Sequence, residues 1–137
     1  MFLVDTNVIS ALRRPESAPQ ALRAWAEATP AMDLYISAMS VYELELGILR
    51  IERRDSAQGR MLRNWFTRSV LAQFRDQILP VDSVIATRCA ALHVPDPRPE
   101  RDSFIAATAL VHRFVLVTRN VRDFEPMGVE ILNHWAA

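Results

Sequence analysis

Short apolar strands alternating with helical segments predict an α/β protein built on a mainly parallel sheet covered on both faces by helices. Phe2, Leu3 and Val4 form a continuous apolar run that stops at Asp5, the pattern of a strand buried on both faces and ending at a polar edge. Phe114 to Val117 is a second such run, four apolar residues with two valines, closed by Thr118. Apolar residues elsewhere recur at helical spacing, in segments bounded by Ser, Asp or Pro. At 137 residues, half of them apolar, the chain has the size of one compact domain over 1–137 and can bury a real core.

In chain order, a helix follows Asp5, and Pro15 and Pro19 then punctuate the path to an Ala-rich helix from about Ala21 to Ala28. Leu34, Tyr35 and Ile36 read as the second strand. From Ser40 the spacing turns helical, with Val41, Leu44 and Ile48 on one face and Leu49 beside them, running to about Arg54. Asp55, Ser56 and Gly59 predict a turn, after which Met61, Leu62, Trp65, Phe66 and Val70 complete a helical hairpin. Ile78 to Val81, interrupted by Pro80, is a weak third strand, and Asp82 and Ser83 suit the cap of a helix through Leu92. The loop VPDPRP leads to a helix from about Glu100 to His112, the strand ending at Thr118 follows, and Val129 to Leu132 fits a last short strand. No repeat or low-complexity tract interrupts this order.

Composition narrows the functional classes. Sixteen basic residues balance sixteen acidic ones, so no net positive field draws nucleic acid in, and any grip on RNA must be local. Every basic residue is Arg, which suits bidentate phosphate contacts and equally suits a solvated face. Cys89 stands alone, which points away from a disulfide framework and toward a cytoplasmic location. His93, His112 and His134 lack the spacing of a zinc site and read as surface or packing residues. The opening MFLVDTN lacks the basic and long apolar segments of a signal peptide, and no stretch approaches membrane-spanning length.

In parallel α/β sheets, sites form beyond the carboxyl ends of the strands. Four acids fall there or in the first turn of a following helix: Asp5, Glu43, Asp102 and Asp123. Each has a structural reading. Asp5 can cap the helix after it; Ser40 and Glu43 form the two ends of a capping box; Asp102 complements a helix dipole; Asp123 can close a turn after Asn120. Together they are hard to explain that way, because the fold brings the strand ends into one basin where like charges raise one another's pKa unless a cation joins them. Oxygen donors without His or Cys point to Mg²⁺ or Mn²⁺. Gly47 one turn beyond Glu43, and Ala106 and Ala109 after Asp102, are expected to let both helices approach the sheet, whereas Glu45 points elsewhere into solvent. Such a site suits phosphodiester hydrolysis by a metal-activated water. Three glycines supply no P-loop or dinucleotide turn, and no Ser/His/Asp arrangement is evident.

FLVDTNVIS at the start, SVYELELG around Glu43, RDSFIAATAL around Asp102 and LVTRNVRDF near the end resemble, in order and spacing, the four motif blocks of the PIN-domain family, and most of all its bacterial VapC and FitB-type toxins. The resemblance spans nearly the whole chain. It implies a three-layer α/β/α sandwich, Mg²⁺- or Mn²⁺-dependent endoribonuclease activity, homodimerisation, and inhibition by a small antitoxin encoded alongside. It further implies that Asp5, Glu43 and Asp102 bind the metal with Asp5 as central ligand, and that Asn120 or Asp123 fills a fourth polar place. Thr6, Thr118 and Ser40 flank the basin and could orient water or phosphate, although Ser40 serves equally as a helix cap. Arg98 and Arg101, in the unusual proline-rich loop before Asp102, either touch the RNA backbone or are solvated. The hairpin holds Arg50, Arg53, Arg54, Arg60, Arg63, Arg68 and Arg75. There the resemblance suggests a groove clasping an antitoxin helix, with Leu62, Trp65 and Phe66 as anchors and a cationic tail reaching the acids.

Two other functions compete. An aspartyl phosphotransfer enzyme is disfavoured, since no second Asp lies two residues beyond Asp5 and the chain has no Lys. A binding module that acts as the dimerising half of a DNA-bound antitoxin-repressor complex would touch DNA only through its partner. It can coexist with catalysis.

Overall fold

The structure, a computed structural model, describes residues 1–135. Its centre is a five-stranded, wholly parallel sheet in the order β3-β2-β1-β4-β5. The strands are β1 (Phe2–Val4), β2 (Leu34–Ser37), β3 (Ile78–Leu79), β4 (Val115–Val117) and β5 (Ile131–Leu132). The short edge strands β3 and β5 begin and end inside their predicted ranges, with Pro80, which has no N–H to donate, just past the end of β3. The helices are α1 (Thr6–Leu12), α2 (Gln20–Ala28), α3 (Ala38–Arg54), α4 (Ser56–Trp65), α5 (Leu71–Gln73), α6 (Ser83–Leu92), α7 (Glu100–His112) and α8 (Val121–Phe124).

Strand pleating sorts the side chains into layers. Val4, Ile36 and Val117 project to one face, where they meet Val8 and Ile9 of α1, Leu22 of α2, Leu44 and Ile48 of α3, and Leu62, Phe66 and Val70 of the hairpin's second arm. Leu3 and Leu116 project to the other, against Ile105, Ala106 and Ala109 of α7 and the buried Phe124. Behind α7, Ile85 and Cys89 of α6 pack on Ala107. This is the three-layer α/β/α sandwich expected from the sequence. None of the described helices is long and apolar enough to cross a membrane.

Several local expectations need correction. Helix α3 begins one turn earlier than predicted: Ser37, which ends β2, caps it by accepting from Met39 N at 3.0 Å. Ser40 is fully buried inside the helix and bonded elsewhere, so it forms no capping box with Glu43. Gly59 marks no turn. It lies within α4, where an added Cβ would come 2.5 Å from Glu52 Cγ and 2.7 Å from Glu52 Cα, so the two arms can close only because no side chain is there. The turn itself is a single residue, Asp55, which ends α3 and caps α4 through Gln58 N at 3.1 Å. Glu45 does face away from the acids, but it is held by Arg63 of α4 in a two-pronged pair at 2.7 and 2.6 Å rather than left to solvent. Arg63 also contacts Glu52 at 3.0 Å and keeps the Glu45 carboxyl below its usual range.

Helix α7 ends at Arg113 in the left-handed conformation (φ 60°, ψ 41°), a place where a Cβ is strained and glycine is not. Arg113 is exposed, so nothing but backbone strain is at stake. Arg113→Gly is expected to raise unfolding stability by about 0.5–1 kcal/mol. Chemical denaturation of the two proteins checks this; an unchanged or lowered midpoint would contradict it.

Candidate active site

The order of strands reverses between β1 and β4, and the crevice beyond that point is where an open parallel sheet offers a site. Register aligns Leu3 with Leu116 and Val4 with Val117, so the next residues along, Asp5 and Thr118, emerge side by side. Asp5 N continues the ladder to Val117 O at 2.9 Å, after which Asp5 O accepts from Val8 N at 3.0 Å and α1 begins. The carboxylate caps that helix through Thr6 N (2.8 Å to Oδ1) and takes the Thr118 hydroxyl proton (2.7 Å to Oδ2). Capping and a place in the basin are thus compatible for Asp5. Thr118, fully buried, also accepts from Asn120 N at 2.9 Å, so its one proton is committed to the carboxylate.

The other acids arrive on helices. Glu43, on the second turn of α3, meets Thr6 Oγ1 at 2.8 Å; Thr6 Oγ1 also lies 2.9 Å from Ser40 Oγ. Since a hydroxyl has one proton, Thr6 gives it to the carboxylate and takes that of Ser40. Asp102 sits in the first turn of α7. Asn120 joins the remaining pair, its amide 2.8 Å from Asp123 Oδ2 and 3.4 Å from Asp102 Oδ2, so the two candidates for the fourth place belong to one network.

The electrostatics of these groups follow from their burial and their nearness. Asp5 is only 4% exposed, and burial pushes its pKa from 3.8 to about 6, against the lowering pull of the Thr118 and Thr6 hydrogen bonds and with a smaller upward push from Glu43. Asp102 also rises to about 6, first through burial, then through repulsion by Asp5, Glu43 and Asp123, with Arg101 opposing. The one ion pair at the basin among the described residues is a loose one, Arg101 to Glu43 at 3.7 Å.

No three acidic, His or Cys side chains among the described residues close into a ready chelate. The donors nevertheless fit a hard divalent cation. They are all oxygens and they repel one another, and two of them, Glu43 and Asp102, border an open cleft while Asp5 lies buried behind, as suits Mg²⁺, which keeps several waters and takes few carboxylates. A cleft of about 580 Å³ opens beside Glu43 and Asp102, between α3 and the start of α7.

Other expected residues divide. Arg101 lines this cleft, whereas Arg98 does not. Arg98 is half-buried, its backbone N–H donating to His93 Nδ1 at 3.2 Å. Leu62 and Trp65 line a mostly apolar groove of about 240 Å³ between α1, α3 and α4 that runs to Glu43. Phe66 is 2% exposed within the core and cannot serve as an anchor. Gly47 borders the same groove with open space where a Cβ would be, so it brings no helix closer to the sheet; Ala106 and Ala109 are fully buried beneath α7 as expected.

Two residues not singled out as site residues also contribute. Asn7 donates to Asp5 Oδ2 at 3.2 Å and to Thr118 Oγ1 at 3.3 Å, and accepts from Arg119 N at 3.3 Å; its only advance signal is its place after Asp5 and Thr6. His93, read as a surface or packing residue, fastens the start of α7. With Nδ1 accepting from Arg98, its Nε2 is the donor to Ser103 Oγ at 2.8 Å, and Ser103 in turn donates to Glu100 O at 2.6 Å. Nothing in the sequence pairs His93 with a serine ten residues on.

A parallel three-layer sandwich with acids gathered at its switch point is the architecture of a small α/β domain built around a carboxylate-rich site. Residues 2–128 match the PIN domain, and the chain belongs to that family. It is 34% identical to a VapC ribonuclease of Sinorhizobium fredii over 98% of both chains. It is 31% identical to toxin FitB of Neisseria gonorrhoeae, over 98% of this chain and 99% of that one. A solved structure of FitAB bound to a DNA fragment superposes with a TM-score of 0.89 at 30% identity, covering 100% of this chain and 97% of that one.

Because the folded protein holds the Asp5 proton more tightly than the unfolded chain does, stability from this group is complete below pH about 4 and lost as pH rises to about 6. The rise is worth on the order of 3 kcal/mol. In chelator, Asp5→Asn is therefore expected to be more stable than the parent at pH 7.5, with the difference vanishing near pH 4. Thermal melts across this range check it; a variant less stable than the parent at pH 7.5 would refute the desolvation account.

Proposed function

We propose that the chain, as a single PIN unit over residues 1–137, is a divalent-metal-dependent endoribonuclease and the toxin of a toxin–antitoxin pair, working as a homodimer. The observation that carries this reading is a nearly buried Asp5 at the sheet's switch point, with Glu43 and Asp102 close enough to repel it and no cationic side chain among the described residues paired with it. Its kinship to a VapC ribonuclease and to FitB supports the same conclusion.

Asp5, Glu43 and Asp102 would hold Mg²⁺ or Mn²⁺, with Asn120 and Asp123 completing the rim. Bound there, such a cation supplies Lewis acidity toward a phosphodiester and its attacking water. The chain's own part is positional. Thr118 and Asn7 fix the Asp5 carboxylate from the protein side, Thr6 fixes Glu43, and Asn120 spaces Asp102 from Asp123. Ser40 acts through Thr6. Rigid placement matters because acids off by about an ångström cost rate steeply. With no nucleophilic side chain in the basin besides carboxylates and committed hydroxyls, water is the nucleophile.

Incubating the purified protein with mixed RNA and Mg²⁺ or Mn²⁺, with and without chelator, tests this reading. Cleavage is expected to stop with chelator and to fall by at least about 10²-fold in Asp5→Asn. Equal cleavage by the variant would overturn it.

The proposed partner is a small antitoxin whose helix occupies the groove at Leu62 and Trp65, bringing a cationic tail toward the acids; kinship to FitAB, solved bound to DNA, supports a DNA-bound complex, in which we place the DNA contact on the partner. Gly47→Leu would put an uncharged side chain into this groove, with nothing within 4 Å of its Cβ. It is expected to weaken antitoxin binding by about 10-fold or more while RNA cleavage persists. Titration calorimetry with the adjacent-encoded antitoxin checks this, and undiminished affinity would place the partner elsewhere.

A further inference from the structure

The cleft beside Glu43 and Asp102 is walled differently from the acidic basin it opens into. Tyr42 projects into it and is 53% exposed, with Phe104 also on the wall. The Arg101 guanidinium lies 5.6 Å over the Tyr42 ring and 3.7 Å from Glu43, itself 46% exposed. A tyrosine that is half exposed, met on its ring by one solvated guanidinium and next to a charged cluster, has no role in the core. Moreover, each helix repeats one device: the residue beside the acid, Tyr42 beside Glu43 on α3 and Arg101 beside Asp102 on α7, faces the cleft with it.

We infer that this cleft is a nucleotide subsite, in which Tyr42 stacks an unpaired base flanking the scissile phosphodiester while Arg101 takes the neighbouring phosphate. The inference rests on the ribonuclease reading and deepens it by naming the side chains that grip the nucleotide beside the cleaved bond. Adjacency sets the spacing: a phosphate at Glu43 and Asp102 leaves its attached nucleoside within reach of the next side chain on either helix. Stacking needs a free π-face, which a base inside a duplex does not offer. Arg101 can exchange partners readily, since its pairing with Glu43 is long and solvated and a phosphate offers it a bidentate contact. With no net positive charge on the chain, a local cation and stacking surface is also the kind of grip the composition demands.

The test uses the full chain with Mn²⁺ and a fluorescent single-stranded oligoribonucleotide that it cleaves, comparing the parent with Tyr42→Phe, Tyr42→Leu and Arg101→Gln. Tyr42→Phe should stay within about twofold in kcat/KM, whereas Tyr42→Leu should lose about 10- to 100-fold, chiefly through KM. Arg101→Gln should weaken binding and flatten its dependence on salt. An abasic sugar placed in turn at each position flanking the cleaved bond should, at one position, cost the parent the same factor and cost Tyr42→Leu nothing more. The same sequence in a duplex should be cut far more slowly. Equal kcat/KM for Tyr42→Leu and the parent, purely additive losses at every abasic position, or equal cleavage of the duplex would overturn the subsite while leaving the nuclease intact. A parent protein that cuts no RNA would overturn both.

Discussion

A carboxylate almost without access to water, held where two neighbouring strands end, constrains everything around it. Asp5 cannot leave the basin because its backbone belongs both to the ladder with β4 and to the first turn of α1, and its oxygens are tied by Thr6, Asn7 and Thr118. Removing a carboxylate from water is costly unless it is protonated or paired, and the described residues provide hydrogen bonds but no cation for it. The other acids add to this cost instead of relieving it. Such an arrangement sacrifices stability of the empty fold for a site with strong affinity for positive charge, the exchange that active sites commonly make.

The rest of the molecule keeps those charges together. Small buried residues of α7 bring Asp102 close over the sheet, while the clasp of His93 on Ser103 and Glu100 sets where that helix starts. On the other face, α3 delivers Glu43 because β2 runs straight into it through Ser37, leaving no loop to blur the geometry. Sites on regular elements joined without slack are held more tightly than sites on loops.

The fold was legible in the sequence wherever a local pattern is dictated by burial on both faces, as at Phe2 to Val4 and at Phe114 to Thr118. Asp5, Asp102 and Asp123 were legible because each stands where a strand or helix starts or stops, and Glu43 because it follows β2 within two turns of helix. What escaped depended on partners far away in the chain. Ser40 looked like a cap because Glu43 follows at the right interval, yet a hydroxyl 34 residues upstream claims it, and Ser37 does the capping. Gly59 looked like a turn residue, although its absent side chain answers to Glu52 on the facing helix. Phe66 shares the helical spacing of Leu62 and Trp65, and spacing alone does not say that the core covers it completely while Leu62 and Trp65 keep an edge on the groove. Asn7 binds across 111 residues to Thr118, and periodicity carries no information about such a pair.

The Arg63 clamp on Glu45 and Glu52 has a consequence for the groove whose walls it ties together. The jaw formed by α4 is fastened partly by half-exposed charges, and these weaken as ions accumulate around them. The opposite jaw, α1, is seated on Val8 and Ile9 in the apolar core, which is indifferent to ionic strength. Helix α4 also buries Leu62 in that same core and packs closely on α3 at Gly59, so ions can weaken the clamp while the apolar seating of both jaws remains.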